Sequence, residues 1–356
     1  MDLIFLDADF NIIAAPADDY TSFTWGEKWY TTGSFTLYLP SYRFNLLRYA
    51  KYIYNQDKDE CAKVTSITYT ESDKFELVVV GVMLESILHK RVIDTEVTLN
   101  STVENAVYSL VTQFALTGDR MMPLLELAPL SGFTEPYDGT VTAGTFLDTC
   151  LYDLLKPHGM TYRIKYDFYN NQLIFSVVKG LDRSQEQEGN NRAIFSTDFE
   201  NLGNISYNNS DEDYRNFAYV TGTWDENPVM ITIDQTDGGE RHEMYINPGI
   251  SPRDDDITTL EQYEAALRQR GIEALAEHPF IENVSGDVDV HGSLVYGIDY
   301  NIGDMCDVVV TKLGMTWSAQ ITEVDHVYES SGYRIIPRFG EDKLNIRRFI
   351  ERELKK

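Results

Sequence analysis

The apolar residues of the first hundred positions come in short runs broken by Asp, Gly and Pro. That punctuation reads as short strands joined by turns. Residues 3–6, 11–14 and 34–39 are such runs. In the last, Phe35, Leu37 and Leu39 alternate with Ser34, Thr36 and Tyr38, which turns one face inward. Residues 63–70 and 75–84 predict a hairpin joined through Glu71-Ser72-Asp73. Its second strand is apolar on both faces and belongs in the middle of a sheet. Residues 161–168 and 172–178 predict a second hairpin around Tyr169-Asn170-Asn171. Further strands are expected at 217–223, 229–233, 284–290, 305–310, 316–328 and 332–337.

Helical period interrupts this pattern three times. Ser101-x-x-Glu104 has the form of a capping box, followed by a stripe of Val103, Val107, Leu110, Val111 and Phe114. A second helix is expected from about Thr145, with Phe146, Leu147, Cys150, Leu151, Leu154 and Leu155 on one side and Pro157 and Gly159 ending it. A third starts at Thr259-x-x-Gln262, with Leu260, Tyr263, Leu267 and Leu275 inward. The fold class is α+β, mainly β: two β-rich regions joined by helical insertions. A length of 356 residues allows two or three domains.

Composition narrows the partners. Lys and Arg number 30 against 57 Asp and Glu, a net charge of -27. Such a polyanion does not hold a phosphate backbone by counterion release, so no specific nucleic-acid binding is expected. Anionic membrane surfaces are disfavoured for the same reason. The start, MDLIFLDADF, lacks a basic n-region, and Asp7 and Asp9 break its apolar run. It is expected to be a strand, in a soluble chain made in a cytoplasm. Cys61, Cys150 and Cys306 lack CxxC spacing and are expected to be buried free thiols.

A search for chemistry yields no catalytic residue and no cofactor motif. Neither a GxxxxGK[ST] nor a GxGxxG phosphate loop is present, and there is no GxSxG elbow or HExxH. A Cys–His pair, which meets only in space, stays open. Asp287, Asp289 and His291 alternate with Val288 and Val290. On a strand all three share one face, either as ligands for a divalent metal or as the solvent side of a half-buried strand. Asp254-Asp255-Asp256 precedes a helix and complements its dipole. The stretch from Asp234 to Glu240, with Gly238 and Gly239, is expected to be a hairpin tip. Trp25 and Trp29 could stack on a glycan or anchor the first β-region.

Three separated stretches carry a resemblance: Trp29-x-x-x-Gly33-Ser-Phe-x-Leu-x-Leu-Pro40; the helix start at 101–111; and Tyr300-x-x-Gly303-Asp304 with Ile321-Thr-Glu-Val324, Gly332-Tyr-Arg and Phe339-Gly340. In this order they resemble the tail-tip (baseplate) hub proteins of long-tailed phages and prophages, similar to the N-terminal hub region of tail-associated lysins. The resemblance implies two small barrel-like β-domains, at 1–100 and at 181–340. Read from the residues, a helical and β insertion occupies 101–180, and the last stretch, with Ile346, Phe349 and Ile350 at helical spacing among Arg347, Arg348, Arg352, Lys355 and Lys356, is a basic amphipathic tail at 341–356. The resemblance further implies a homotrimeric, pseudo-sixfold ring that joins the tail tube or distal tail protein to a tip or spike and lets DNA pass. The location implied is the virion tail tip, after assembly in the host cytoplasm, with no membrane insertion and no enzymatic activity. The alternatives are a glycan- or receptor-binding tail module and a cell-wall hydrolase.

Overall fold

The structure is a computed structural model that describes residues 3–17, 19–71, 75–141, 143–250, 259–276, 278 and 280–341. Ser72-Asp73, Asp254-Asp255-Asp256 and the basic tail from Lys343 lie outside the described residues. Residues 1–205 with 285–339 form one compact unit, and residues 206–284 belong to a second.

The alternating runs of the first unit form one long antiparallel path. Its order is Ile12–Ala17, Leu3–Leu6, Tyr52–Asn55, Glu60–Glu71, Phe75–Met83, Ser34–Pro40, Ser22–Lys28, Met315–Glu329 and Gly332–Glu341. Ile281–Val288 and Leu202–Ser210 extend it. The fold is thus mainly β. Among the described residues the path is open, because its end strands do not pair with each other. The predicted hairpin forms, and Phe75–Met83 is central, flanked by Glu60–Glu71 and Ser34–Pro40. The start and the end of the chain meet in this sheet where Ser22–Lys28 pairs with Met315–Glu329.

One face of the sheet buries Phe23, Trp25, Phe35, Leu37, Leu77 and Val79. Ring centroids of Phe23 and Phe35 lie 5.8 and 5.9 Å from that of Trp25, the spacing aromatic pairs prefer. Gly81 makes room for this stack: a Cβ there would sit 2.3 Å from the Phe35 ring.

The insertion packs helices Val103–Ala115 and Leu147–Leu155 on the antiparallel hairpin Met160–Asp167/Gln172–Lys179. The expected stripes are buried, whereas Phe146, just before the second helix, is 43% exposed. The first cap is shifted by one residue. Thr102, not Ser101, accepts from the backbone N–H of Asn105. Glu104 does not close a capping box. Its buried carboxylate accepts the N–H groups of Ser131, Gly132 and Phe133 at 2.6, 3.0 and 3.0 Å and pins the loop there. Three orphan donors in an irregular segment outcompete one helix-terminal N–H.

The second unit is a three-stranded sheet backed by the helix Leu260–Ala276. The helix opens on a reciprocal capping box. Thr259 N–H donates to Gln262 Oε1 at 3.1 Å, and Gln262 N–H donates to Thr259 Oγ1 at 3.2 Å. The strand Phe217–Trp224 lies in the middle, antiparallel to Asn227–Asp234 and parallel to Glu243–Ile246. The two outer strands are not neighbours, so the segment around Gly238 is a crossover and not the hairpin tip expected.

Candidate functional site

The Trp29 and Gly303 stretches, far apart in sequence, come together. Trp29 Nε1 donates to the carbonyl of Gly159 at 3.2 Å, and its N–H donates to that of Thr322 at 2.9 Å. Gly303, at φ 92°, lies under the indole; a Cβ there would approach the ring to 2.4 Å. Only glycine meets both demands. The neighbouring Asp304 is buried and fully used: it accepts from Leu181 N–H (2.8 Å), Asn301 N–H (2.9 Å) and Arg183 Nε (2.6 Å). Glycine and aspartate in this turn therefore join the chain at 29, 181 and 303.

Beside that joint lies a buried ionic cluster. Trp25 and Glu27 share one face of the strand Ser22–Lys28, and His326 pairs opposite Trp25. The turn before Glu60–Glu71 brings Lys58 onto Glu27, with Nζ 2.5 Å from Oε1. His326 Nε2 is 2.8 Å from the same oxygen, and Tyr296 OH donates to Oε2 at 2.9 Å. Lys58 also lies 4.7 Å over the Tyr296 ring, a cation–π contact. His326 Nε2 also lies 2.8 Å from Lys58 Nζ, and its Nδ1 lies 2.6 Å from Tyr333 OH, so both ring nitrogens are engaged inside the cluster.

These neighbours set the protonation states. Burial works to raise the Glu27 pKa, but the charge of Lys58 and the hydrogen bond from His326 outweigh it and hold the carboxyl well below the usual range. Burial lowers the His326 pKa against the opposing pull of Glu27, so the imidazole is neutral near pH 7. Glu60 accepts Trp25 Nε1–H at 2.7 Å. Burial and the negative charge of Glu27 push its pKa up to about 7.

A cavity of about 40 Å³ borders this cluster, lined by Glu27, Glu60, Glu85 and Arg163 among others. Arg163 reaches from the insertion, donating to the carbonyl of Lys28 at 3.0 Å and stacking 5.2 Å from the Trp29 ring. Burial raises the Glu85 pKa while Arg163 opposes it. The space suits water, not a sugar ring or a peptide. Its carboxylates and cations turn toward one another, which locks segments together and leaves no room for a substrate to be positioned among them.

The residues singled out from the sequence lie elsewhere or serve differently. Trp25 and Trp29 are 0% and 4% exposed, so their rings anchor the core and offer no face to a glycan. Asp287, Asp289 and His291 do not share a strand face, because the strand Ile281–Val288 ends before Asp289. Asp287 accepts from Asn204 Nδ2 at 2.7 Å, and Asp289 accepts the N–H of His291 within a turn. Among the described residues no group of three His, Cys, Asp or Glu could hold a metal. Cys61, Cys150 and Cys306 are buried, and none is in a disulfide. No described helix is long and apolar enough to cross a membrane. Sequence reasoning missed Glu27, Lys58, Glu85, Arg163 and His326. The one local signal was a charged or polar residue at an inward position of an apolar strand, as Glu27 is beside Trp25.

The model of the siphovirus ReqiPepy6 Gp37-like proteins matches residues 3–341, nearly the whole chain. The chain belongs to that family. The fold of this Gp37-like protein is shared with prophage tail proteins. It resembles the tail protein from Neisseria meningitidis MC58 (12% identity, 96% of both chains covered, TM-score 0.53). It also resembles the 43 kDa tail protein of prophage MuSo2 from Shewanella oneidensis (12%, 96% of this chain and 99% of that one, 0.54). A third likeness is to the prophage tail protein gp18 from Listeria monocytogenes EGD-e (15%, 100% of both, 0.51). A search of curated protein sequences finds no match.

Proposed function

We propose that this Gp37-like chain is a structural component of the tail-tip baseplate, a hub whose copies close into a homotrimeric, pseudo-sixfold ring. The ring joins the tail tube or distal tail protein to the tip or spike and lets DNA pass. Its place is the virion tail tip, reached after assembly in the host cytoplasm. We assign the two hub modules to residues 1–100 and 181–340, the insertion to 101–180 and the tail to 341–356. The observation that carries this reading is family membership across residues 3–341, together with a prophage tail fold over nearly the full length. The buried cluster supports it, since Glu27, Lys58 and His326 tie distant segments into a rigid body instead of binding a substrate. The net charge of -27 supports it too, because an acidic surface repels the DNA it would let through.

The test is the mass and symmetry of the assembly. The purified chain, mixed with tail-tube and tip subunits, is weighed by analytical ultracentrifugation and imaged by electron microscopy. Threefold rings are expected. A chain that stays monomeric with both neighbours present would sink the proposal.

A further inference from the structure

We propose that the open face of the sheet in the second unit is the docking surface for this chain's own basic C-terminal segment, residues 343–356. Register fixes what that face presents. Tyr219 pairs with Thr232 on one side and Tyr245 on the other, and Thr221 pairs with Met230. Paired residues share a face, so Tyr219, Tyr245, Met230, Thr221 and Thr232 stand together. Ala218, Val220 and Ile233 point the other way, into the core under the helix Leu260–Ala276. Met230 is 61% exposed and Tyr245 70%.

The next row of this face carries Asp234 and Glu243 on either side of Phe217, which is buried. Arg241 lies 4.1 Å over the Phe217 ring, between the two carboxylates at 3.9 and 3.8 Å. Tyrosine and methionine at the centre, with charge at the two ends (Asp234, Arg241 and Glu243 at one, the exposed Asp225-Glu226 turn at the other), is the composition of a protein-docking patch.

Charge chooses the occupant. Residues 206–284 hold 17 acidic and five basic side chains, a net of -12. Residues 343–356 hold six basic and two acidic ones, a net of +4. The tail sequence also supplies an apolar side: Ile346, Phe349 and Ile350 recur at helical spacing among Arg347, Arg348, Arg352, Lys355 and Lys356. Its 14 residues would make a helix about 21 Å long. The eight-residue central strand spans about 27 Å. Tail and second unit are therefore opposite in charge, and the tail suits the face in amphipathic character and in length. The tail is that of the same chain, since tethering raises its effective concentration at the face above that of any neighbour's.

Two experiments test this. First, a labelled peptide of residues 342–356 is titrated by fluorescence anisotropy into the chain ending at Glu341. Saturable binding is expected, weakened several-fold by raising salt from 50 to 300 mM, as for an exposed charged contact. The double substitution Met230→Ala and Tyr245→Ala, at exposed sites that leave the core and the charge intact, is expected to weaken it at least about tenfold. Second, Tyr245→Cys and Ile350→Cys are combined in the full chain and oxidised. A disulfide within one chain supports docking; a disulfide formed only between two chains, told apart by non-reducing electrophoresis, overturns the assignment to the chain's own tail. Absence of both peptide binding and disulfide overturns the proposal. So does binding indifferent to the double substitution. If that substitution changes the oligomer mass but not peptide binding, the face serves a second copy's body and the tail proposal falls.

Discussion

The helices Val103–Ala115 and Leu147–Leu155 bury mainly aliphatic and aromatic side chains, while the joint around Glu27 buries carboxylates, an ammonium and an imidazole in the same unit. The two solve one problem by different physics. Apolar packing is non-directional and tolerant; it needs only volume and periodicity, which neighbours in sequence supply. The ionic joint is directional and unforgiving. Each charge is tolerable only while its partners, 31 residues away for Lys58 and 269 for Tyr296, hold position. A protein that ties its beginning to its end gains from the second kind of contact, since the cluster exists only when Ser22–Lys28 has found Met315–Glu329.

Breaking the joint should have the largest effect. Lys58→Met leaves the Glu27 carboxylate buried without its cation and should cost about 3–5 kcal/mol in urea unfolding. Adding Glu27→Gln to it should recover much of that loss; a double mutant as weak as the single one would mean that packing, not charge, holds the joint. In the apolar layer, Leu151→Ala at a fully buried site should cost about 2–5 kcal/mol. That loss should be the same at pH 5 and pH 8, which separates this layer from the joint.

Glu60 sharpens the comparison through pH. Its folded-state pKa, pushed up to about 7, lies above the unfolded value, so the folded protein holds this proton more tightly. The resulting stabilisation is full below about pH 4.5 and is lost as pH rises through 7. Glu60→Gln keeps an acceptor for Trp25 Nε1 and removes the ionisation. The Tm of the variant relative to the parent should therefore rise between pH 5 and pH 8; a constant difference would refute the assignment. The smallest effect belongs to the helix cap. Thr102→Ala should cost about 1 kcal/mol, while Ser101→Ala should cost less, because Thr102 makes the cap bond.

Legibility followed the range of the interaction. The stripe of Val107, Leu110, Val111 and Phe114, the Thr259–Gln262 capping box and the Tyr169-Asn170-Asn171 hairpin were all readable, since each is decided within a few residues. The Ser101–Glu104 box misled because Glu104 found better donors at Ser131–Phe133, beyond local reach. Asp287, Asp289 and His291 misled because alternation was carried past Val288, where the strand stops. Trp25 and Trp29 were ambiguous from sequence, as an aromatic ring is equally at home on a glycan and in a core; their burial decides for the core.

By itself, the sequence determined that this chain would be mainly β, acidic and punctuated by the helices Val103–Ala115, Leu147–Leu155 and Leu260–Ala276, because periodicity, turn residues and charge are properties of the chain read in order. Only the tertiary structure decided which strands are neighbours, that Gly303 lies beneath Trp29 and that Glu27 meets Lys58 and His326. Those outcomes depend on pairings between distant segments, and no single segment carries the geometry of its partner.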